Sequence, residues 1–216
     1  PIVERSCNLA ALPMRPLILA TLSFSAALNA QELPEPPQEY LNVCYPATAA
    51  VITVCNNGCD YGNGQLQQAI NAAQPGTTLL LQAGHTYAGS YTLPAKTGEG
   101  WIVIRTDASD TQLPSSDQRI TPSFSPVMAR FQASAGQTAL TFASGADHYY
   151  LMGLEVTSAG YSFDLIRAGD GTQNSLADLP HDIVFDRLYI HGHPTLGTKR
   201  GIALNSARTA VVNCHI

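Results

Sequence analysis

The chain is 216 residues long with 45% hydrophobic residues, which fits a globular protein and excludes a disordered tail. Only 12% of residues are charged, and eleven Lys and Arg face sixteen Asp and Glu, so the net charge of −5 supplies no basic field for collecting nucleic acid. Seventeen Gly and fourteen Pro imply many turns and short elements, which excludes a bundle of long helices.

The first signal along the chain is Met14-Arg15, followed by an apolar run from Pro16 to Ala27 and by small residues at Ala26, Ala27 and Ala30. A basic start, a short apolar stretch and small residues predict a secretory signal over 14–30, cleaved after Ala27 or Ala30, with 1–13 as upstream read-through. The run is roughly half the ~20 residues needed to cross a bilayer, so no membrane anchor is expected once the signal is removed. The expected location is outside the cell or in the periplasm. Without 1–30, nine basic and fifteen acidic residues remain, so the exported protein is more acidic than the full sequence.

Export also permits disulfides. Residues 31–60 form a Pro-rich, Cys-bearing entry segment, in which Cys55 and Cys59 bracket the turn Asn56-Asn57-Gly58 and are the candidate pair. Cys44 is the alternative partner for either. A zinc site would need a fourth ligand nearby, and none is visible, so no metal is assigned.

Residues 61–216 carry the domain. Leu66, Ala69, Ile70 and Ala73 recur at helical spacing until Gln74-Pro75-Gly76 stops the run, which predicts a short amphipathic helix that needs an apolar surface to cover. Short β-rich runs follow at Thr77 to Leu81, Tyr91 to Leu93 and Trp101 to Arg105. Trp101, the single tryptophan, reads as a partly buried packing residue or as a platform for a sugar ring.

Further on, one apolar frame occurs three times: Tyr149-x-Leu151-x-x-Leu154-x-Val156, Ile183-x-Phe185-x-x-Leu188-x-Ile190 and Thr209-x-Val211-x-x-Cys214-x-Ile216. The extra residue in each copy flips the inward face, so the chain must turn a corner there to keep both halves in one core. Met152-Gly153, Asp186-Arg187 and Val212-Asn213 occupy those corners, and Gly and Asn suit unusual backbone dihedrals. A further strand precedes each copy: Leu140-x-Phe142, Phe163-x-Leu165 and Ile202-x-Leu204. Repeated units that cannot bury their apolar side alone indicate a solenoid rather than an antiparallel sandwich, which does not predict a phase break at the same place in each unit.

Several segments carry a resemblance to a known group. They are Leu66-Gln-Gln-Ala-Ile-Asn-Ala-Ala-Gln-Pro-Gly76 with Thr78-Leu-Leu-Leu-Gln-Ala-Gly84, Leu93-Pro-Ala-Lys96 leading to Trp101-Ile-Val-Ile-Arg105, Met152-Gly-Leu-Glu155, Asp186-Arg-Leu-Tyr-Ile-His-Gly192, and Arg200-Gly-Ile-Ala-Leu-Asn205. Together they resemble the right-handed parallel β-helix proteins of the pectate lyase superfamily, especially those described as right-handed parallel β-helix repeat-containing. The resemblance implies an all-β, right-handed parallel β-helix whose N-terminal end is capped by the short helix. The pattern stops at Ile216 inside a strand, so the expectation is a C-terminally truncated β-helix, monomeric at full length.

The resemblance also implies an acidic, uronate-containing polysaccharide as partner, bound in a groove along one sheet. Lyases of this class use a cation, Ca²⁺ or a basic side chain, to neutralise the uronate carboxylate before a base removes the C5 proton. Hydrolases on the same scaffold use carboxylate pairs, and non-catalytic adhesins also occur, so these remain rival readings. Catalytic residues are not assignable by motif. The candidate groove residues are Asp186, Arg187, His191, His193, Lys199, Arg200 and Asn205, from a stretch in which the last 36 residues hold four of the six histidines and four basic against two acidic residues. Their blander reading is a corner ion pair, a loop and a solvated surface. Asp164 and Arg167 flank Leu165-Ile166 and fit either the same groove or a surface salt pair, and the loop 170–178 is a candidate groove wall.

Overall fold

The computed structural model describes residues 41–216. The expected signal over 14–30, the upstream 1–13 and the first ten residues of the entry segment lie outside the described residues.

Among the described residues, fifteen short strands pair in parallel into three sheets. Sheet I holds β1 (Ala50–Cys55), β2 (Tyr61–Gly62), β3 (Thr77–Leu81), β6 (Ile102–Thr106), β9 (Asp147–Met152), β12 (His181–Asp186) and β15 (Ala207–Val212). Sheet II holds β4 (Thr86–Ala88), β7 (Ala129–Ala133), β10 (Leu154–Ser158) and β13 (Tyr189–Ile190). Sheet III holds β5 (Tyr91–Leu93), β8 (Leu140–Phe142), β11 (Ser162–Ala168) and β14 (Thr198–Leu204). From β3 onward, consecutive strands enter sheets I, II and III in rotation, so neighbours within a sheet are separated by strands of the other two.

This arrangement corrects the expected closed right-handed parallel β-helix. Hydrogen bonding runs within three separate parallel sheets of unequal size, seven strands against four and four. β1 and β2 extend sheet I without counterparts in the other sheets, and they draw part of the presumed entry segment into the fold. The sequence frame misleads for a physical reason. Its phase break encodes only a local change of sheet, which separate stacked sheets need as much as a closed helix does.

That local change is visible in the backbone. Between β9 and β10 the chain adopts a left-handed conformation at Gly153 (φ 63°), and the equivalent residues Arg187 and Asn213 both have φ of 52°. A Cβ on Gly153 would lie 2.9 Å from Leu113 Cδ1, so the site wants glycine for space as well as for dihedral. Side chains on either side of each such residue then face the common core. In sheet I the register stacks Leu79, Ile104, Leu151 and Phe185 in one column, and in sheet II Tyr87, Phe131, Val156 and Ile190 form another. All eight are buried. Each such side chain contributes about 1.5–3 kcal/mol on leaving water.

Sheet I is buried on its other face too. Val103, Tyr150 and Val184 pack there against Leu113, Ile120 and Met128 from the long connection after β6, and against Leu41, Val43 and Tyr45. Burial on both faces explains why Ile102-Val103-Ile104 is a continuous apolar run rather than an alternating one. The only α-helix among the described residues, α1 (Leu66–Ala72), buries Leu66, Ala69 and Ile70 in the core. Its Gln67 amide closes the edge of sheet III by donating to Thr92 O at 2.9 Å and accepting from Thr92 N at 2.9 Å, a side-chain substitute for a further strand. No helix among the described residues is long and apolar enough to cross a membrane.

Candidate functional site

Sheet III carries the arrangement most suited to a ligand. Asp164 on β11 is buried, yet its carboxylate is shared by two arginines that reach solvent. Arg200 Nε on β14 donates to Asp164 Oδ1 at 2.5 Å, and Arg167 Nε and Nη2 approach Oδ2 at 3.3 Å. The β11–β14 register, in which Asp164 pairs with Arg200, dictates the first contact. The second is an i, i+3 pair along β11. The side chains of Arg167 and Arg200 stay 39% and 46% exposed, so one buried anion holds two cations at the surface.

The same register sets Lys199 beside Phe163. Lys199 Nζ lies 4.3 Å and the Arg200 guanidinium carbon 4.8 Å from the centre of the half-exposed Phe163 ring. Cations this close to an aromatic face are held by its quadrupole. Toward the other end of β11, Arg167 lines a cleft of about 310 Å³ with Thr141, Ser144, Asp170, Gln173 and Asn174. Hydroxyls, amides and carboxylates around one guanidinium form a wall rich in donors and acceptors, as a hydroxylated ligand requires. Asp170 is itself committed to the loop: Thr172 N and Oγ1 donate to its Oδ1 at 2.9 and 2.7 Å, and these bonds hold its carboxyl below the usual range.

The seven sequence candidates do not share one surface. Lys199 and Arg200 belong to the cationic strip just described, and Asn205 adjoins it, donating from Nδ2 to Gly169 O at 3.2 Å beside the cleft loop. Asp186 and Arg187 are buried instead. Asp186 Oδ2 accepts from Tyr150 Oη at 2.9 Å and Arg187 Nη2 at 2.8 Å, while Arg187 Nη1 donates to Pro114 O at 2.8 Å and ties the long connection to sheet I. His193 lies in an exposed turn whose backbone N–H groups, from Thr195 and Leu196, point at its Nδ1 at 3.3 Å. Among the described residues no group of three or more His, Cys, Asp or Glu side chains is placed to hold a metal ion. Cys55 and Cys59 form a disulfide with Cα atoms 5.7 Å apart.

His191 directly follows β13 at the end of sheet II, in a cluster that sequence reasoning missed. The Glu155 carboxylate, 3% exposed, meets His191 Nε2 at 2.9 Å and Arg130 Nε at 2.8 Å, and Ser125 Oγ donates to its Oε2 at 2.5 Å. Burial alone would raise the Glu155 pKa. Contacts with His191, Arg130 and Ser125 outweigh it and leave the carboxyl below its ordinary value. Tyr189 stacks on the His191 ring at 4.4 Å. The one sequence signal for this cluster is a carboxylate in the otherwise apolar Leu154-Glu155-Val156, which a register putting Glu155 beside Arg130 and Tyr189 would have interpreted.

No protein-family model and no curated protein matches the chain. Among solved structures, it is similar to an alginate lyase from Paenibacillus sp. str. FPU-7, with 17% identity and a TM-score of 0.41 over 77% of this chain and 44% of that one. The chain thus spans less than half the length of the structure it matches.

Proposed function

We propose that the protein binds an acidic, uronate-bearing polysaccharide across sheet III. The observation that carries this reading is the coupling of Arg167, which lines the polar cleft, through buried Asp164 to Arg200, Lys199 and Phe163. Arg167, Lys199 and Arg200 against Asp164 give the strip itself a net charge of +2 on a chain of net charge −5, while Asp170 and Asp178 line the adjoining cleft. A sugar acid would set its carboxylate on the guanidinium of Arg167, its hydroxyls on the cleft wall and a ring face against Phe163.

Chain cleavage by β-elimination is the reaction such a site would serve. A guanidinium on the uronate carboxylate makes the C5 proton more acidic; a base removes that proton, the C–H pair forms the C4–C5 double bond, and the C4–O bond breaks onto the departing oxygen, which takes up a proton. Hydrolysis is the poorer reading, because it requires one carboxyl held protonated, whereas Asp170 is held ionised and Asp164 is committed to two arginines.

The test is affinity electrophoresis against pectate, alginate and a glycosaminoglycan, run beside the rise in ultraviolet absorbance from unsaturated uronate. Binding should weaken about tenfold or more in Arg167→Ala, consistent with the ~1.5–3 kcal/mol of a charge-assisted hydrogen bond. Retention of none of the three polymers would overturn the binding reading. Retention without a rise in absorbance would leave a non-catalytic surface protein and remove the lyase form.

A further inference from the structure

Sheet I carries a second surface row, which the proposed function does not use. At the start of its later strands the backbone is left-handed at three equivalent non-glycine residues, His148 (φ 54°), Asp182 (φ 52°) and Arg208 (φ 42°). Their side chains join those beside them. Trp101, next to β6, meets the His148 imidazole edge-on with ring centres 5.2 Å apart, and His148 meets His181 at 6.3 Å. Asp147 Oδ2 holds His148 Nδ1 at 2.7 Å, and Asp182 Oδ2 holds His181 Nδ1 at 2.7 Å. Arg208 closes the row on Asp182 through bonds of 2.7 and 2.6 Å.

This row is open to solvent, with the His148 and Arg208 side chains 41% and 42% exposed. Its charge also differs from that of the strip on sheet III. Bonds from Arg208 and His181 keep Asp182 ionised, so the row sets two carboxylates, Asp147 and Asp182, beside one guanidinium. A polyanion gains nothing here. A neutral sugar does, because the partly buried indole of Trp101, packed on Tyr150, and two imidazole rings offer aromatic surface to sugar C–H groups, while Asp147 and the ring nitrogens offer partners to hydroxyls. The row crosses β6, β9, β12 and β15, consecutive strands of one sheet about 4.8 Å apart, so its groups recur along a line that a linear chain of sugars can follow.

We propose that Trp101, Asp147, His148 and His181 form a binding site for a neutral oligosaccharide, separate from the cationic surface of sheet III. Trp101 is the only tryptophan in the chain, so its fluorescence reports this row and no other surface. The experiment is a fluorescence titration of the whole chain with cellohexaose, mannohexaose and xylohexaose, and with a hexamer of galacturonate for comparison. A saturable change is expected with at least one neutral hexamer, weakened tenfold or more in Asp147→Asn and in His148→Ala, and unchanged in Arg167→Ala. The two row variants are checked by circular dichroism so that a folding defect is recognised. The proposal is overturned by a flat titration with all three neutral hexamers, by a response to the galacturonate hexamer alone, or by undiminished affinity in folded Asp147→Asn. A response to the galacturonate hexamer alone would also move pectate binding to this row, whereas the other two outcomes leave binding by sheet III untouched, which Arg167→Ala tests on its own.

Discussion

Glu155 Oε1 lies 2.9 Å from His191 Nε2 although the two residues are 36 positions apart, and the other oxygen of the same carboxylate takes the Ser125 hydroxyl. One buried anion therefore fastens the long connection and the end of β13 to sheet II. Its folded pKa is depressed below the ordinary value of 4.5, so its contribution to stability is present above that value and is lost as pH falls through the folded pKa. In urea unfolding from pH 7 to pH 3, the wild-type protein should lose stability below about pH 4.5 more steeply than Glu155→Gln does. At pH 7 the variant should be weaker by about 2 kcal/mol, less than for a fully buried pair because Arg130 and His191 remain partly solvated. Parallel pH profiles for the two proteins would show that Glu155 is not the group responsible.

Gly153→Ala tests the change of sheet. The left-handed conformation costs an alanine about 1–2 kcal/mol, and its Cβ would press on Leu113 Cδ1 at 2.9 Å and Thr106 Cγ2 at 3.1 Å. A fall in Tm of roughly 5–10 °C by circular dichroism is expected for a domain of this size. An unchanged Tm would mean that the turn relaxes without cost.

Phe185→Asp tests the core register. Phe185 is fully buried, stacked on Leu151 and edge-on to Phe142 at 5.9 Å, with no cation among its ring contacts. An unpaired charge there exceeds the stability of a typical domain, so the variant should be digested by trypsin under conditions that leave the parent intact. Equal protease resistance would place Phe185 outside the interior.

Cys214 makes a prediction about reactivity. Burial pushes its thiol up to about 11, so at pH 8 almost no thiolate is present. Iodoacetamide should leave it unmodified in the native protein, as read by mass spectrometry, and label it fully in urea. Rapid labelling without denaturant would contradict its burial.

What could be read from the sequence divides along the range of the interactions. The apolar frame at Tyr149 and Ile183 identified inward residues correctly, because alternation is a local property of a strand. Gly153 and Asn213 were legible as left-handed corners, since both residue types tolerate that conformation. At Arg187 the corner and its pairing with Asp186 were legible, but not the left-handed backbone, the burial of the pair or the bond to Pro114, which is remote in the sequence. The cations Lys199 and Arg200 were visible, but their partners Phe163 and Asp164 emerge only from the register of β11 on β14. Glu155 was missed for the same reason: in isolation a glutamate in a strand reads as solvent-facing.

The rotation of strands among three sheets also governs how the chain can assemble. Thr78 pairs with Val103, Val103 with Tyr150, Tyr150 with Val184 and Val184 with Ala210, each partner a whole set of strands further along. Every new rung closes a loop before any of its ladder bonds form, and long-range parallel pairing of this kind is slow. Growth can proceed only by laying each set on one already in place, with α1 and Gln67 finishing the edge where the first rung of sheet III would otherwise lie open. A set can be laid on either side of one already formed, so a defect in one rung breaks the pairing available to both of its neighbours.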